Sequence, residues 1–200
     1  MKKIKALFLD IGGVLMTNGW DRHMREQAIK EFHLEKEEFE TRHREWNPLL
    51  EIDSISLDEY LNEVVFWKTR NFTLQQFKDY MFAFSKPFPE MLRLMQTIKE
   101  KYQLEIAFVS NEGRELALHR IALANLKSLA EYFFMSCYVH IQKPDPLIYK
   151  LALDVSQYHP DEVFFIDDRQ EMIDGAATLG IDGITHESLT VTEQKLQEIL

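Results

Sequence analysis

The sequence predicts an α/β fold in which a core of parallel strands and helices is interrupted by a helical lobe. Three short apolar runs each end at polar residues, and helical patterns alternate with the runs. The stretch from 17 to 87 instead shows helical periodicity throughout and no convincing strand. We therefore expect one core, formed by 1–16 and 88–200, with an inserted helical cap at 17–87.

Each predicted core strand ends where its apolar run meets polar residues. The runs are 4–9 before Asp10, 104–109 before Ser110 and Asn111, and 163–166 before Asp167 and Asp168. Strands of a buried parallel sheet read as continuous apolar runs, and ligands of open parallel sheets bind outside the carboxyl ends of the strands. The three polar strand ends are therefore expected to meet at one site.

Apolar residues at helical spacing predict the helices of both parts. Core helices are expected near 88–101, 145–156 and 171–179, and cap helices near 21–32, 35–46, 57–68 and 73–85. Asp58 and Glu59 stand at the start of the third cap helix, where carboxylates interact favourably with the helix dipole.

Composition restricts the class of partner. Of the 200 residues, 46% are hydrophobic and the formal net charge is −10. Such a chain is globular, and its acidity argues against non-specific nucleic-acid binding, which rests on Lys and Arg. No apolar run is long enough to span a bilayer, and Asp10 interrupts the N-terminal run. We expect a cytoplasmic protein with no membrane partner, and the sequence leaves its oligomeric state open.

Four motifs occur in a fixed order along the chain. They are Phe8-Leu9-Asp10-Ile11-Gly12-Gly13-Val14, Phe108-Val109-Ser110-Asn111, Lys143-Pro144-Asp145 and Phe164-Phe165-Ile166-Asp167-Asp168. In this order they resemble the haloacid dehalogenase-like hydrolase superfamily, over roughly 1–16 and 88–185. The resemblance implies a Rossmann-like core. Within the superfamily the chain looks most similar to sugar-phosphate phosphatases with a small helical cap and to the phosphatase lobe of soluble epoxide hydrolases.

The resemblance implies a nucleophile and a metal site. Asp10 would attack the phosphoryl group and form an aspartyl-phosphate. Mg²⁺ would be held by Asp10, the backbone carbonyl of Gly12 and the acid pair Asp167 and Asp168, and Asp168 would be the more direct ligand of that pair. The cation would offset the charge between the two anions that must approach each other.

The resemblance also implies residues that bind the substrate. Ser110 and the Asn111 backbone would hold oxygens of the transferring phosphoryl group, and Lys143 would place a cation on the same group and against Asp10. The expected substrate is a small phosphorylated metabolite. The sequence does not decide whether Arg114 and Arg169 contact that substrate or are surface charges.

Each motif also has a purely structural interpretation. Asp10 could simply cap the turn that follows it, and Asp167 and Asp168 could be exposed acids of a turn. Lys143 could be a solvated loop residue. Ser110 and Asn111 could begin an ordinary helix as its N-cap. Cys137 lies in an apolar run and is predicted to be a buried structural thiol.

Gly12 departs from the phosphatase pattern. Phosphatases of this superfamily usually carry a second Asp at this position, two residues after the nucleophile. That Asp protonates the leaving group and later activates water. Dehalogenases usually carry Tyr, which Gly12 does not match either. Two alternatives to a phosphatase therefore stay open: a non-catalytic relative that binds phosphate or a partner, and a dehalogenase-like hydrolase. For a phosphatase, an acid or histidine of the cap, with Asp21 and His23 as candidates, would take over the missing role.

Overall fold

The computed structural model describes residues 4–200, and its centre is a five-stranded parallel sheet. The strands are β1 (Ala6–Leu9), β2 (Glu105–Ser110), β3 (Tyr132–Met135), β4 (Val163–Asp167) and β5 (Asp182–Thr185). Their order across the sheet is β3-β2-β1-β4-β5, and every neighbouring pair is parallel. The predicted α/β class with a Rossmann-like parallel sheet is confirmed.

The helices fall into an insert and a set that flanks the sheet. Those of the insert are α1 (Arg22–Glu31), α2 (Lys36–Glu51), α3 (Leu57–Val64) and α4 (Leu74–Ala83). Those beside the sheet are α5 (Pro89–Tyr102), α6 (Arg114–Leu123), α7 (Ser136–Val139), α8 (Pro146–Ser156), α9 (Gln170–Ala177) and α10 (Leu189–Ile199).

Each face of the sheet carries its own apolar layer, because alternate side chains of a strand point to opposite faces. In β1, Leu7 and Leu9 belong to the layer that includes residues of α5, α6 and α10. Ala6 and Phe8 belong to the layer that includes residues of α8 and α9. The central strand is buried on both sides, so the position of Asp10 directly after it is well defined.

The four helices of the insert share an apolar core of their own. Tyr60, Leu61 and Phe77 are fully buried in it. Burying a large apolar side chain contributes about 1.5–3 kcal/mol, so this core contributes to the stability of the insert. The side chains of Ser56 and Thr73 cap α3 and α4 in reciprocal capping boxes.

Polar contacts join the insert to the part of the chain that carries the sheet. Arg114 at the start of α6 lies 2.8 Å from Asp53 in an ion pair, and its guanidinium also donates to the carbonyl of Cys137. The ring Nδ1 of His140 lies 2.7 Å from the Ile52 carbonyl oxygen. These contacts hold the C-terminal end of α2 over the carboxyl edge of the sheet.

Several elements differ from the sequence prediction. The structure adds strands β3 and β5 and helices α6, α7 and α10, for which no pattern was recognised. Strand β5 contains Asp182 and Gly183, which have poor strand propensity, and it forms the edge of the sheet. Helix α2 continues beyond residue 46 to Glu51 although it contains Pro48, and α3 ends at Val64 rather than near 68.

The prediction that Cys137 is buried is confirmed. Cys137 is a buried free thiol, and burial raises its pKa to about 12. Among residues 4–200, the helices are too short or too polar to cross a bilayer.

His43 makes the stability of the insert sensitive to acid. Burial, assisted by the charges of Arg25 and Arg44, lowers the pKa of His43 to about 3, and its Nδ1 lies 2.8 Å from the Tyr60 hydroxyl. Below about pH 6.5, His43 therefore binds a proton in the unfolded chain but not in the folded chain. We expect this residue to cost about 1.4 kcal/mol of unfolding free energy for each pH unit below about 6.

Urea denaturation at several pH values measures this effect as a difference between proteins. The His43→Gln variant should lose less stability than the wild-type protein as the pH falls from about 6.5 to 4.5. The exposed His23→Gln variant is the control and should follow the wild-type slope. Equal slopes for all three proteins would contradict the expectation.

Candidate active site

Two neighbouring strand ends bring three acids together at the carboxyl edge of the sheet. Asp10 follows β1, and Asp167 and Asp168 stand at the end of the neighbouring strand β4. The Asp10 backbone N–H donates to the Ile166 carbonyl at 2.9 Å, which continues the parallel ladder. One carboxylate oxygen from each of the three acids lies within 4.8 Å of the others.

Lys143 lies among these acids as a buried cation. Its Nζ is 2.8 Å from Asp10 Oδ1 and 2.5 Å from Asp167 Oδ2, and the side chain is 1% exposed. Burial alone would lower the pKa of Lys143, but the charges of Asp10 and Asp167 outweigh it and raise that pKa. The lysine is therefore a permanent positive charge beside the Asp10 carboxylate, and a solvated loop lysine is excluded.

Asn111 fixes the loop that carries this lysine. Its side-chain Nδ2 donates to the Lys143 carbonyl, and its Oδ1 accepts from the Lys143 backbone N–H, both at 2.8 Å. The amide orientation follows from this pair of bonds. Helix α6 begins after Gly113, whose side chain is absent, so Ser110 and Asn111 are not its N-cap.

The two acids at the end of β4 differ in how their oxygens are used. Asp167 is fully buried; its Oδ2 accepts from Lys143 and its Oδ1 from the Arg169 backbone N–H. Asp168 is partly exposed, and its Oδ2 accepts from Asn18 Nδ2 at 3.2 Å. Burial, followed by the charge of Asp10, raises the pKa of both acids.

The acids suit a hard divalent cation such as Mg²⁺, which prefers oxygen ligands. Asp10 and Asp168 both line the open cavity, whereas Asp167 is buried beneath Lys143 and has both oxygens engaged. The clustered carboxylates carry more negative charge than the single Lys143 ammonium offsets. A cation held by Asp10 and Asp168 would offset the remaining negative charge at the carboxyl edge of the sheet.

The loop after β1 allows the acids to approach closely. Gly13 has a φ of +69°, and a Cβ placed there would lie 2.2 Å from Asp168 Oδ2. A Cβ at Gly12 would lie 2.9 Å from Asn18 Oδ1 and 3.7 Å from Arg120 Nη2. A Cβ at position 12 would therefore be in close contact with the Asn18 side chain and in ordinary contact with Arg120.

A cavity of about 380 Å³ opens above the acids, between the sheet edge and the insert. That volume fits a small metabolite. From the sheet side it is lined by the predicted residues Asp10, Gly12, Ser110, Asn111, Lys143 and Asp168, together with Arg169. From the insert it is lined by Trp20, Asp21, Arg25, His43, Asn47 and Glu51, among others.

Other residues singled out from the sequence lie elsewhere. Arg114 does not line the cavity in the described structure, because it pairs with Asp53. His23 is exposed and also lies outside the lining, whereas Asp21 reaches the cavity but accepts a hydrogen bond from the Met24 N–H as the N-cap of α1.

Sequence reasoning missed a buried ion pair beside the site. Arg120 of α6 is fully buried, and its Nε lies 2.7 Å from Glu112 Oε1, as a charge contact without aligned hydrogen-bond geometry. Burial raises the pKa of Glu112 to about 7, although the charge of Arg120 opposes the rise. No spacing in the sequence indicates this pair, because α6 itself was not predicted.

Replacing Gly13 by alanine is expected to damage the acid cluster. The left-handed backbone costs a non-glycine residue about 1–2 kcal/mol, and the added methyl group would displace Asp168. We expect a lower melting temperature and a weaker stabilisation by added Mg²⁺, measured by thermal unfolding with and without the cation.

Gly180→Ala is the matched control for this variant. Gly180 also has a positive φ, but its Cβ would meet only Pro160 Cβ at 3.7 Å, far from the acids. It should lose only the stability that the left-handed backbone costs, and keep the full response to Mg²⁺. An equal response to Mg²⁺ in both variants would show that Gly13 does not support the cation site.

Comparison with known proteins identifies the family. A family model described as haloacid dehalogenase-like hydrolase matches residues 4–180. The chain therefore belongs to the haloacid dehalogenase-like hydrolases, as the resemblance of its motifs indicated. In the described structure the matched residues include strands β1 to β4, the acids at their ends and the helical insert, whereas β5 lies beyond the match.

Solved structures share this fold at low sequence identity. A HAD family enzyme from Bacteroides thetaiotaomicron is 23% identical with a TM-score of 0.80, over 94% of this chain and 95% of that one. A second structure of that enzyme, a complex with magnesium and inorganic phosphate, has a TM-score of 0.76 at 23% identity, over 94% and 98% of the two chains. An L-2-haloacid dehalogenase from Xanthobacter autotrophicus, with chloropropionic acid covalently bound, is 17% identical with a TM-score of 0.64, over 98% and 83% of the chains.

A curated relative matches over part of its length. Bifunctional epoxide hydrolase 2 of Sus scrofa is 26% identical over 132 residues, which are 64% of this chain and 24% of that protein. The chain thus spans about a quarter of the length of this relative.

Proposed function

We propose that the protein is a Mg²⁺-dependent phosphatase of small phosphorylated metabolites that works through an aspartyl-phosphate on Asp10. The observation that carries the proposal is the contact between the Asp10 carboxylate and the buried ammonium of Lys143, at the floor of a metabolite-sized cavity. The magnesium and phosphate bound to the Bacteroides enzyme of the same fold agree with this chemistry.

In the first step, an oxygen of the Asp10 carboxylate attacks phosphorus while the bond to the leaving oxygen breaks. Lys143 keeps its proton throughout and offsets negative charge on Asp10 and on the phosphoryl oxygens. Ser110, also on the cavity wall, would donate a hydrogen bond to one of those oxygens. In the second step water attacks the phosphorus of the aspartyl-phosphate and Asp10 is regenerated.

Asp10, Asp168 and the Gly12 carbonyl are the proposed ligands of Mg²⁺, and Asp167 supports the site through Lys143. When bound, the cation supplies positive charge that reduces repulsion between the Asp10 carboxylate and the phosphate dianion. This assignment follows from the free access of Asp168 to the cavity and the full engagement of Asp167.

The division into a core and a cap is also part of the proposal. Residues 1–16 and 88–200 would carry the chemistry, and the helical cap at 17–87 would exclude water and select the substrate. The insert contributes side chains to the cavity wall opposite Asp10, which is the position that such a cap requires.

Phosphate release from a panel of sugar phosphates and an aryl phosphate tests the proposal. The expected result is turnover of at least one compound with Mg²⁺ and its loss with a chelator. Halide release from a 2-haloacid without Mg²⁺ would instead support a dehalogenase. Binding of phosphate without turnover of any compound would support the non-catalytic relative that Gly12 leaves open.

A further inference from the structure

The position of Gly12 leaves the proposed phosphatase without its usual proton donor. The side chains nearest to the Cβ that Gly12 lacks are those of Asn18 and Arg120, and neither is a carboxylic acid that could replace the missing one. A departing sugar alkoxide is strongly basic and needs a proton as it leaves. The donor must therefore come from another wall of the cavity, opposite the nucleophile.

We propose that Glu51 of the insert is the general acid and base of the reaction. It is the last residue of α2, it is partly exposed, and it lines the same cavity as Asp10 and Lys143. Asn47, one turn earlier on the helix, donates to its Oε1 at 2.9 Å. That bond orients the carboxyl group, and this inference rests on the proposed phosphatase function.

The environment of Glu51 favours its protonated form. The group stands at the C-terminal end of a helix, where the dipole disfavours an anion. Burial raises the pKa of Glu51, while the Asn47 hydrogen bond and nearby cations lower it without reversing the rise. The charged or titratable groups that interact with Glu51 are Asp10, Lys143 and Arg169 at the sheet edge, Glu112 after β2, and Tyr60 of the insert.

The other acids and bases on the cavity wall are less suited to this role. Glu112 also has a raised pKa, but it is buried and its Oε1 lies 2.7 Å from Arg120 in an ion pair, so it is less accessible to a substrate than the partly exposed Glu51. Asp21 is engaged as a helix N-cap. His43 stays neutral because its pKa is about 3, so it has no proton to give as an imidazolium.

The proton balance closes over the two steps. As the bond from phosphorus to the leaving oxygen breaks, that oxygen takes the proton of the Glu51 carboxyl group and departs as an alcohol. The Glu51 carboxylate then takes a proton from water while the water oxygen attacks phosphorus. The bond from Asp10 to phosphorus breaks, inorganic phosphate is released, and Glu51 is again protonated.

The dependence of kcat/KM on the leaving group tests the role of Glu51. The Glu51→Gln variant keeps the shape and the Asn47 bond but has no acidic proton. It should lower kcat/KM about 10²-fold or more for a sugar phosphate, whose alkoxide needs the proton, and only about threefold for p-nitrophenyl phosphate, whose phenolate does not. For the sugar phosphate, the fall in wild-type kcat/KM at rising pH should also be absent from the variant.

Glu45→Gln, an exposed position on the same helix, is the control and should behave as the wild-type protein with both substrates. Retained turnover of p-nitrophenyl phosphate also reports that Glu51→Gln is folded. Equal losses for both substrates, or none for either, would overturn the assignment of Glu51 while leaving the phosphatase intact. A wild-type protein that hydrolyses neither substrate would overturn the phosphatase, and the Glu51 proposal with it.

Discussion

Replacing Asp10 by asparagine is expected to lower kcat for phosphate-ester hydrolysis by at least about 10⁴-fold. The amide of asparagine has nearly the shape of the carboxylate but is a poor nucleophile and a weaker cation ligand. Steady-state assays at saturating Mg²⁺, with the substrate that the screen identifies, measure the loss. Because Asp10 lies in contact with Lys143 at the centre of the site, the effect should not depend on the substrate.

Asp154→Asn is the control for this variant, because it makes the same chemical change at an exposed position of α8. It should retain wild-type kcat. The unfolding curve of Asp154→Asn should resemble that of the wild-type protein, and Asp10→Asn should remain folded because Lys143 keeps its ion pair with Asp167. Turnover by Asp10→Asn within about tenfold of wild type would rule out Asp10 as the nucleophile.

Replacing Lys143 by methionine is expected to affect both turnover and stability. Removing a charge that stabilises the transition state typically costs about 10²–10³-fold in kcat. The variant also leaves Asp10 and Asp167 without the cation they share, and breaking a buried ion pair costs about 3–5 kcal/mol. Urea unfolding and steady-state kinetics measure the two effects on one preparation.

Mg²⁺ should restore part of the stability of Lys143→Met, because a cation that binds only the folded acid cluster stabilises it by mass action. Lys150→Met, which is exposed on α8, should change neither stability nor kcat. An unfolding free energy for Lys143→Met equal to that of the wild-type protein would contradict the described position of the lysine between two carboxylates.

The polar strand ends could be predicted from the sequence because they depend on local patterns. Continuous apolar runs ended at Asp10, Ser110 and Asp167, and parallel strands bring such ends to one edge. The structure confirms the parallel sheet and places Asp10 and Ser110 on the wall of one cavity, with the buried Asp167 clustered beside Asp10. The prediction succeeded at these positions because an apolar run and the polar residue directly after it are visible in a short stretch of sequence.

The remaining part of the site depends on long-range contacts that no local pattern records. Glu51 is part of α2 only because that helix continues past Pro48, beyond the end that the sequence predicted near residue 46. Arg120 and Glu112 meet because α6, which the sequence did not predict, carries Arg120 and begins just after Glu112. Asn111 was expected to offer its backbone to substrate, and the structure adds that its side chain holds the Lys143 loop.

The two edge strands, β3 and β5, also could not be predicted from the sequence. Strand β5 carries Asp182 and Gly183, and strand β3 is followed at once by the short helix α7. Their pairing to the central strands stabilises them more than their own propensity does. Such tertiary stabilisation appears only once the whole sheet is assembled.

The most direct test of the central claim is to quench the wild-type protein in acid during turnover with Mg²⁺ and to map the phosphoryl group by mass spectrometry. The account predicts an acid-stable phosphoryl group on the peptide that contains Asp10, which appears and decays in a single turnover and is absent with a chelator. A phosphoryl group on another residue, or phosphate release that persists in Asp10→Asn, would contradict it.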